Sequence, residues 1–294
     1  DKTFTVFNTL SFDRSEVFEY EIEWERLVLG QDLPHKLHER LDKKDLPNLK
    51  LVDEKGQNIP FEITNSEVRF DYDLPKDSFR IPYFARFIKV RFEADVQGFG
   101  WKTFALTEGE GMSINSKDED LTLENDWIKV SFNDFGKIDV VDKKTDKVHE
   151  DFFYYENTGD IGNEYIYRQS ADNSVIKSTD FEAKYEVLES NDLFKKIKMT
   201  QVWQIPESAS DLLTYEQISV TEMRICKATR SDKMIDYPVE TIFTLKHSDP
   251  VVKIETHINN TAKDHRIRAV FDSGLNVDTH VAESVFEVIE RPNK

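Results

Sequence analysis

Apolar and polar residues alternate with period two through most of this chain. Glu16-Val17-Phe18-Glu19-Tyr20-Glu21-Ile22-Glu23-Trp24 keeps the alternation, with Val17 out of register at its start. Period two with aromatic residues predicts a half-buried strand. Residues 3–8 read as another strand and 10–14 as the turn after it; 49–63 reads as a hairpin turning at Lys55-Gly56. Residues 79–94 hold an alternating strand after Pro82, and 98–106 turns at Gly98-Phe99-Gly100 and runs out as one more. Leu33-Pro34-His35-Lys36-Leu37-His38 reads as a solvated connection. His35 and His38 would share a face and could bind metal were it helical, but Pro34 and the polar composition favour a loop. The first hundred residues thus predict five or six strands and no helix, the inventory of a small β-sandwich.

Thr107-Glu108-Gly109-Glu110-Gly111 contains no apolar residue after Thr107 and reads as a linker. It divides a small β-sandwich domain, 1–107, from a larger domain, 112–294. In the second part, 121–132 reads as a strand pair, 133–137 as a turn and 138–142 as a strand. Long strands follow over 181–204, 218–226, 239–246, 251–259, 267–273 and 285–290. Strands of this length with one-sided alternation suit a large two-sheet sandwich, so the fold class is all-β. No internal repeat, heptad pattern or low-complexity segment interrupts it.

A length of 294 residues favours two domains. The formal net charge of −18 argues against nucleic acid and anionic membranes as partners, since phosphate backbones repel such a field. Cys226 is the single cysteine, which excludes an intrachain disulfide and a cysteine-rich metal site; its apolar surroundings predict a small buried residue rather than a nucleophile. No apolar run approaches a membrane span and no signal peptide opens the sequence, so a soluble, cytoplasmic protein is expected. A start at Asp1, already in strand-like sequence, predicts that something upstream has been removed.

Candidate chemistry concentrates in 155–168, Tyr155-Glu156-Asn157-Thr158-Gly159-Asp160-Ile161-Gly162-Asn163-Glu164-Tyr165-Ile166-Tyr167-Arg168. Glycine and asparagine let the chain turn and let a ligand approach the backbone. Tyrosines and carboxylates supply the flat faces and acceptors that sugar hydroxyls need. Pattern alone reads this stretch as an acidic surface turn between two strands.

Several stretches together move the reading further. Val6-Phe7-Asn8-Thr9-Leu10-Ser11-Phe12-Asp13-Arg14, Phe99-Gly100-Trp101-Lys102-Thr103-Phe104, Leu123-Glu124-Asn125-Asp126-Trp127-Ile128-Lys129-Val130 and Gly136-Lys137-Ile138 occur in order. Gly159-Asp160-Ile161-Gly162-Asn163-Glu164-Tyr165 and Ser284-Val285-Phe286-Glu287-Val288-Ile289-Glu290-Arg291-Pro292 follow them. This series resembles the β-rich C-terminal portion of the α-mannosidases of glycoside hydrolase family 38. The resemblance implies a small β-sandwich followed by a galactose mutarotase-like β-supersandwich, truncated at its C-terminal end, with the α/β catalytic domain and helical bundle missing. It implies a retaining enzyme with an aspartate nucleophile and a zinc ion, both held by the missing domain. Because the resemblance places the nucleophile and the metal ligands in that missing domain, no catalytic residue and no metal ligand is assigned to this chain.

One site position carries over: Tyr165 matches the family's loop tyrosine, whose hydroxyl binds mannose in the −1 subsite. Asp160 and Glu164 flank it as loop-shaping neighbours. Asn163-Glu164 departs from the small-residue pair of some relatives. The partners implied are a mannose-containing oligosaccharide and the chain's own N-terminal catalytic domain; a homo-oligomer is compatible with the sequence. Two rival readings stand beside this one. A free-standing carbohydrate-binding module needs exposed aromatics, but Trp24, Trp101, Trp127 and Trp203 sit in alternation that favours the core. A mutarotase-like sugar isomerase needs a histidine and a carboxylate converging in a cleft, with His247, His257 and His280 as candidates.

Overall fold

The structure, a computed structural model, describes residues 2–118 and 120–293. The chain divides into two compact units. The first comprises Asp1–Asp118, Ser190–Lys195 and Lys246–Val251, and the second Glu119–Glu189, Lys196–Leu245 and Val252–Lys294. Asp1, on which the expectation of a removed upstream segment rests, lies outside the described residues.

The first unit contains strands β1 (Lys2–Phe7), β2 (Arg14–Val28), β3 (Leu49–Asp53), β4 (Asn58–Ile59), β5 (Phe61–Asp73), β6 (Ile81–Val96) and β7 (Trp101–Glu108). They form one sheet of order β1-β7-β3-β4 and a second of order β2-β6-β5. Phe4, Leu51, Phe104 and Leu106 from the first sheet meet Ile22, Ile88, Val90 and Phe92 from the second in a single core. Phe92 and Phe104 bridge the sheets with ring centroids 4.9 Å apart. Each fully buried ring of this kind contributes about 1.5–3 kcal/mol.

Two expectations fail in this unit. The segment read as a solvated connection is a helix, α1 (Pro34–Asp42). Pro34 sits in its first turn, where a missing N–H costs no hydrogen bond, and Leu37 and Leu41, four residues apart, are both buried. The His38 ring packs edge-on against Phe84 at 5.4 Å. Trp101, expected in the core, is 69% exposed. Parity explains this: Phe104 faces inward, and a residue three positions away on the same strand points to the opposite face. Its cross-strand partner is Phe7, which is exposed too.

The segment read as a linker is held rather than free. Gly109 N–H donates to the Asn48 carbonyl at 2.8 Å, and the Met112 carbonyl accepts from Phe61 N–H at 3.0 Å. A Cβ on Gly111 would stand 2.3 Å from the Leu49 carbonyl oxygen, so this glycine serves close packing.

Most of the second unit consists of β8 (Thr122–Glu124), β9 (Ile128–Phe132), β10 (Ile138–Asp142), β11 (Lys147–Gly159), β12 (Val175–Lys177), β13 (Ala183–Ser190), β14 (Phe194–Pro206), β15 (Met234–Lys246), β16 (Val252–Ile258), β17 (His265–Phe271), β18 (Thr279–Ser284) and β19 (Glu287–Pro292). One sheet runs β12-β11-β10-β9-β8 with β17 also paired to β11; others run β13-β14-β15-β16 and β18-β19. Their core gathers Phe153, Tyr155, Ile197, Trp203, Tyr237 and Phe243. The buried Tyr155 hydroxyl is shared with the Thr241 hydroxyl at 3.1 Å and with that of Thr256, as a buried phenol requires.

The strand expected over 218–226 is absent. The chain instead forms a helix, α2 (Asp211–Ile218), and a short 3-10 turn at Met223–Ile225. The Ser219 hydroxyl closes the helix by donating to the Tyr215 carbonyl at 2.7 Å. The Glu216 carboxylate then accepts the Lys227 amide at 2.6 Å and the Ala228 amide at 3.2 Å, folding the following segment back along the helix. Elsewhere the all-β architecture expected from the alternation holds.

Candidate functional site

The last turn of β11 is buried: Asn157 and Thr158 are 1% and 2% exposed. It is flanked by β17, with Gly159 opposite His265, and by β12, with Thr158 opposite Val175. From there the chain leaves the sheet as a loop over 160–169. Its feet are closed by an isolated bridge between Asp160 and Gln169 and by Ile161 N–H donating to the Arg168 carbonyl at 2.7 Å.

Side chains shape the inside of this loop. Asp160 Oδ1 accepts the Gly162 amide at 2.9 Å and the Arg168 amide at 3.2 Å. Asn163 Oδ1 accepts the Tyr165 and Ile166 amides, each at 2.9 Å, an Asx-type turn in which a side chain replaces a backbone acceptor. Ile161 buries its side chain with Ala209, Leu213, Cys226 and Ala228. The Arg168 guanidinium donates to the Arg224 and Cys226 carbonyls at 2.8 and 3.2 Å. Cys226 is therefore a small packing residue under the loop, and burial pushes its thiol pKa up, which disfavours the thiolate.

The aromatic residues at the tip differ in their engagement. The Tyr167 hydroxyl meets the Thr158 hydroxyl at 3.1 Å, and the Arg266 guanidinium lies 4.4 Å over its ring. Tyr165 projects into solvent at 86% exposure. Glu164 beside it is exposed as well, whereas Asp160 is half-buried with Oδ1 occupied by backbone amides. The three residues singled out by sequence thus share one loop. Tyr165 and Glu164 are at the tip, and Asp160 is at the foot.

Other candidates do not assemble. His247 Nε2 donates to the Asn191 carbonyl at 3.0 Å within the first unit. His257 lies on β16 and His280 on β18, the latter 2.6 Å from Asn293 Oδ1. Among the described residues no group of three or more His, Cys, Asp or Glu side chains is placed to hold a metal ion. Zinc therefore does not fit the donor set found here. The side chains that brace the loop's feet, Arg230 and His265, were not singled out by sequence. Each sits among other polar residues, in Thr229-Arg230-Ser231 and Asp264-His265-Arg266, with no spacing to mark it.

Two family models match in succession: glycosyl hydrolases family 38 C-terminal domain 1 over residues 1–108, and the glycosyl hydrolases family 38 C-terminal domain over residues 123–294. The chain belongs to glycosyl hydrolase family 38. A relative from Halalkalibacterium halodurans, provisionally named a mannosylglycerate hydrolase, is 31% identical over 98% of this chain and 33% of its own length. A crystal structure described as an α-mannosidase from Enterococcus faecalis V583 superposes with a TM-score of 0.93 at 33% identity, covering all of this chain and 34% of its own. A second Enterococcus faecalis structure, described as a family-38 protein, gives a TM-score of 0.91 at 32% identity, covering 99% of this chain and 35% of its own. The chain spans about a third of the length of the relatives it matches. No helix among the described residues is long and apolar enough to cross a membrane.

Proposed function

We propose that this chain forms the C-terminal β-region of a retaining, zinc-dependent glycosidase that hydrolyses α-mannosidic bonds, and that the Tyr165 hydroxyl binds the sugar at one edge of the active site. One observation carries the reading: a loop closed by backbone and side-chain hydrogen bonds presents an 86% exposed phenol at its tip. Order that holds an aromatic ring in water has no benefit to the fold. It is useful for a ligand. The two named relatives both carry mannose chemistry in their names, and a mannose-containing oligosaccharide is the proposed partner.

Retaining hydrolysis needs a nucleophilic carboxylate and an acid about 5–5.5 Å apart. Both, together with the zinc and its ligands, are assigned to a catalytic domain outside this chain. The chain's own contribution is positional. Tyr165 can donate to or accept from a sugar hydroxyl, Glu164 stands beside it, and Asp160 holds the foot of the loop. The single cysteine fits a reducing compartment, and the cytoplasm is the proposed location.

The deciding experiment is Tyr165→Phe in the full-length enzyme, assayed on an aryl α-mannoside. Loss of one neutral hydrogen bond costs about 0.5–1.5 kcal/mol, and more if it tightens in the transition state. kcat/KM should fall roughly ten-fold or more with Tm unchanged. A destabilised protein with normal kinetics would make Tyr165 a structural residue and refute the proposal.

A second reading, a carbohydrate-binding module, gains support from Phe7 and Trp101. Their exposed rings lie with centroids 6.4 Å apart, a surface on which sugar rings can stack. Glycan-array binding that disappears in Trp101→Ala would favour it; absence of binding by the wild-type chain would remove it.

A further inference from the structure

Beneath the tyrosine loop lies a polar chain, buried at Arg230 and Asn157 and open to solvent at Asn260, that none of the chemistry above uses. Arg230 is 7% exposed. Its guanidinium donates to Asn157 Oδ1 and, at 3.5 Å, to the Asn157 carbonyl. Asn157 Nδ2 stands 2.8 Å from His265 Nδ1, and His265 Nε2 stands 3.0 Å from Asn260 Oδ1. Asn260 Oδ1 also accepts the Tyr237 hydroxyl at 3.1 Å.

The direction of every bond in this chain follows from its first member. A guanidinium can only donate, so Asn157 must present its oxygen to Arg230 and its NH2 to His265. Nδ1 of His265 is then an acceptor, and the ring proton belongs on Nε2, where Asn260 receives it. A single residue sets the amide orientation and the tautomer.

Arg230 also touches both feet of the loop. A Cβ on Gly159 would lie 2.9 Å from Arg230 Cγ and 2.3 Å from Ser170 Oγ. Arginine stem, glycine and serine are thus packed with no room for a methyl group. On the outgoing foot, Asp172 Oδ1 accepts the Arg230 backbone N–H at 3.2 Å. Burial works against ionisation of Asp172, yet the Ser174 hydroxyl and the Arg230 amide help hold its pKa at about 2. The carboxylate therefore stays charged near the buried guanidinium. A buried cation is costly unless paired and hydrogen-bonded, and replacing it by an apolar residue would satisfy the fold more simply. Its location between Asn157 and Ser170 points to a task there.

We infer that Arg230 is a positioning residue for the tyrosine loop: through Asn157 and the packing of Gly159 against Ser170 it fixes both feet and so sets where the Tyr165 hydroxyl stands. The inference rests on the reading of Tyr165 as a sugar ligand. It adds the residue on which that placement depends.

The test uses the full-length enzyme with 3-fluorotyrosine at position 165, observed by fluorine NMR, alongside kinetics on an aryl α-mannoside. Arg230→Lys keeps the charge but loses the planar fork that spans Asn157 Oδ1 and the Asn157 carbonyl. The wild type should give one sharp resonance. Arg230→Lys should broaden or split it and lower kcat/KM roughly ten-fold, since small misplacements of a ligand-positioning group are costly. Adding Tyr165→Phe to Arg230→Lys should then cost much less than it does in the wild type. An unchanged fluorine resonance, or fully additive losses, would overturn the inference. Should Arg230→Lys fail to fold, Asn157→Asp removes the donor to His265 while keeping an acceptor for Arg230, and the same two readouts apply with the same consequences. If the resonance moves but Tyr165→Phe alone leaves kcat/KM at the wild-type value, the sugar reading fails while the positioning role of Arg230 stands.

Discussion

A Cβ on Gly162 would lie 1.9 Å from the Ile166 carbonyl oxygen. That approach is far inside any van der Waals contact, and only a residue without a side chain permits it. The turn must open in Gly162→Ala, carrying Tyr165 with it. kcat/KM of the full-length enzyme should fall about ten-fold or more, while Tm moves by no more than a few degrees because the tip is exposed and adds little to the core. Normal kinetics in this variant would show that the tip conformation does not matter.

Gly111 makes a similar demand in the first unit. Its neighbours are the Leu49 carbonyl oxygen at 2.3 Å and the Phe61 ring at 3.0 Å from a built Cβ. Gly111→Ala should destabilise by about 1–3 kcal/mol through overpacking, read as a lowered urea midpoint with unchanged m-value. A free linker would tolerate the methyl group, so an unaltered midpoint would restore that reading.

His265 gives the fold a pH dependence. Burial, and after it the Arg230 charge, lower its pKa from the ordinary 6.5; the Asp264 carboxylate opposes them. Tyr237 packs its ring against the imidazole edge-on at 5.7 Å, and Asn157 and Asn260 take its nitrogens. The unfolded chain binds a proton near 6.5, whereas the folded chain binds it only at lower pH. The stability contributed by neutral His265 is thus complete above about pH 6.5 and is lost as pH falls through the depressed folded value. Tm should decline on acidification across this window, and His265→Gln should flatten the decline. An identical pH profile in the variant would exclude His265 as its source.

Added zinc should not confer activity on the isolated chain. Among the described residues no three or more His, Cys, Asp or Glu side chains are grouped to hold a metal, and the proposed nucleophile lies elsewhere. Hydrolysis of an aryl α-mannoside above blank, with or without zinc and surviving purification, would show that this chain holds a catalytic centre of its own.

Much of the strand inventory was legible because period two survives in long runs such as 16–24 and 83–94. Alternation reports that two faces differ, but not which of them turns inward. Trp203 and Trp101 therefore look alike in sequence, yet the first is 1% and the second 69% exposed. The two helices were missed because both are short. In α1 the signal was present, as Pro34 followed by Leu37 and Leu41 at helical spacing. In α2 a buried Glu216 spoils the apolar stripe, since its partners are backbone amides contributed later in the chain. The tyrosine loop was visible through its glycines and asparagines. Its bracing was not, because Asn157, Arg230 and His265 are far apart in sequence: pairing of β11 with β17 brings His265 near Asn157, and Arg230 comes from the segment that precedes β15.

The closure of the tyrosine loop at Asp160–Gln169 and Ile161–Arg168 separates what the sheet needs from what the tip displays. Residues 163–167 make no ladder with any strand. Of these side chains Tyr167 alone, among the described residues, is tied to the sheet, through Thr158 and Arg266, so changes of chemistry at 163–166 leave the scaffold untouched. Specificity can drift through these few positions while stability is conserved below them. The loop is in this sense a replaceable cartridge, and exchanging 163–166 between family members is the natural way to transplant a substrate preference onto this β-region.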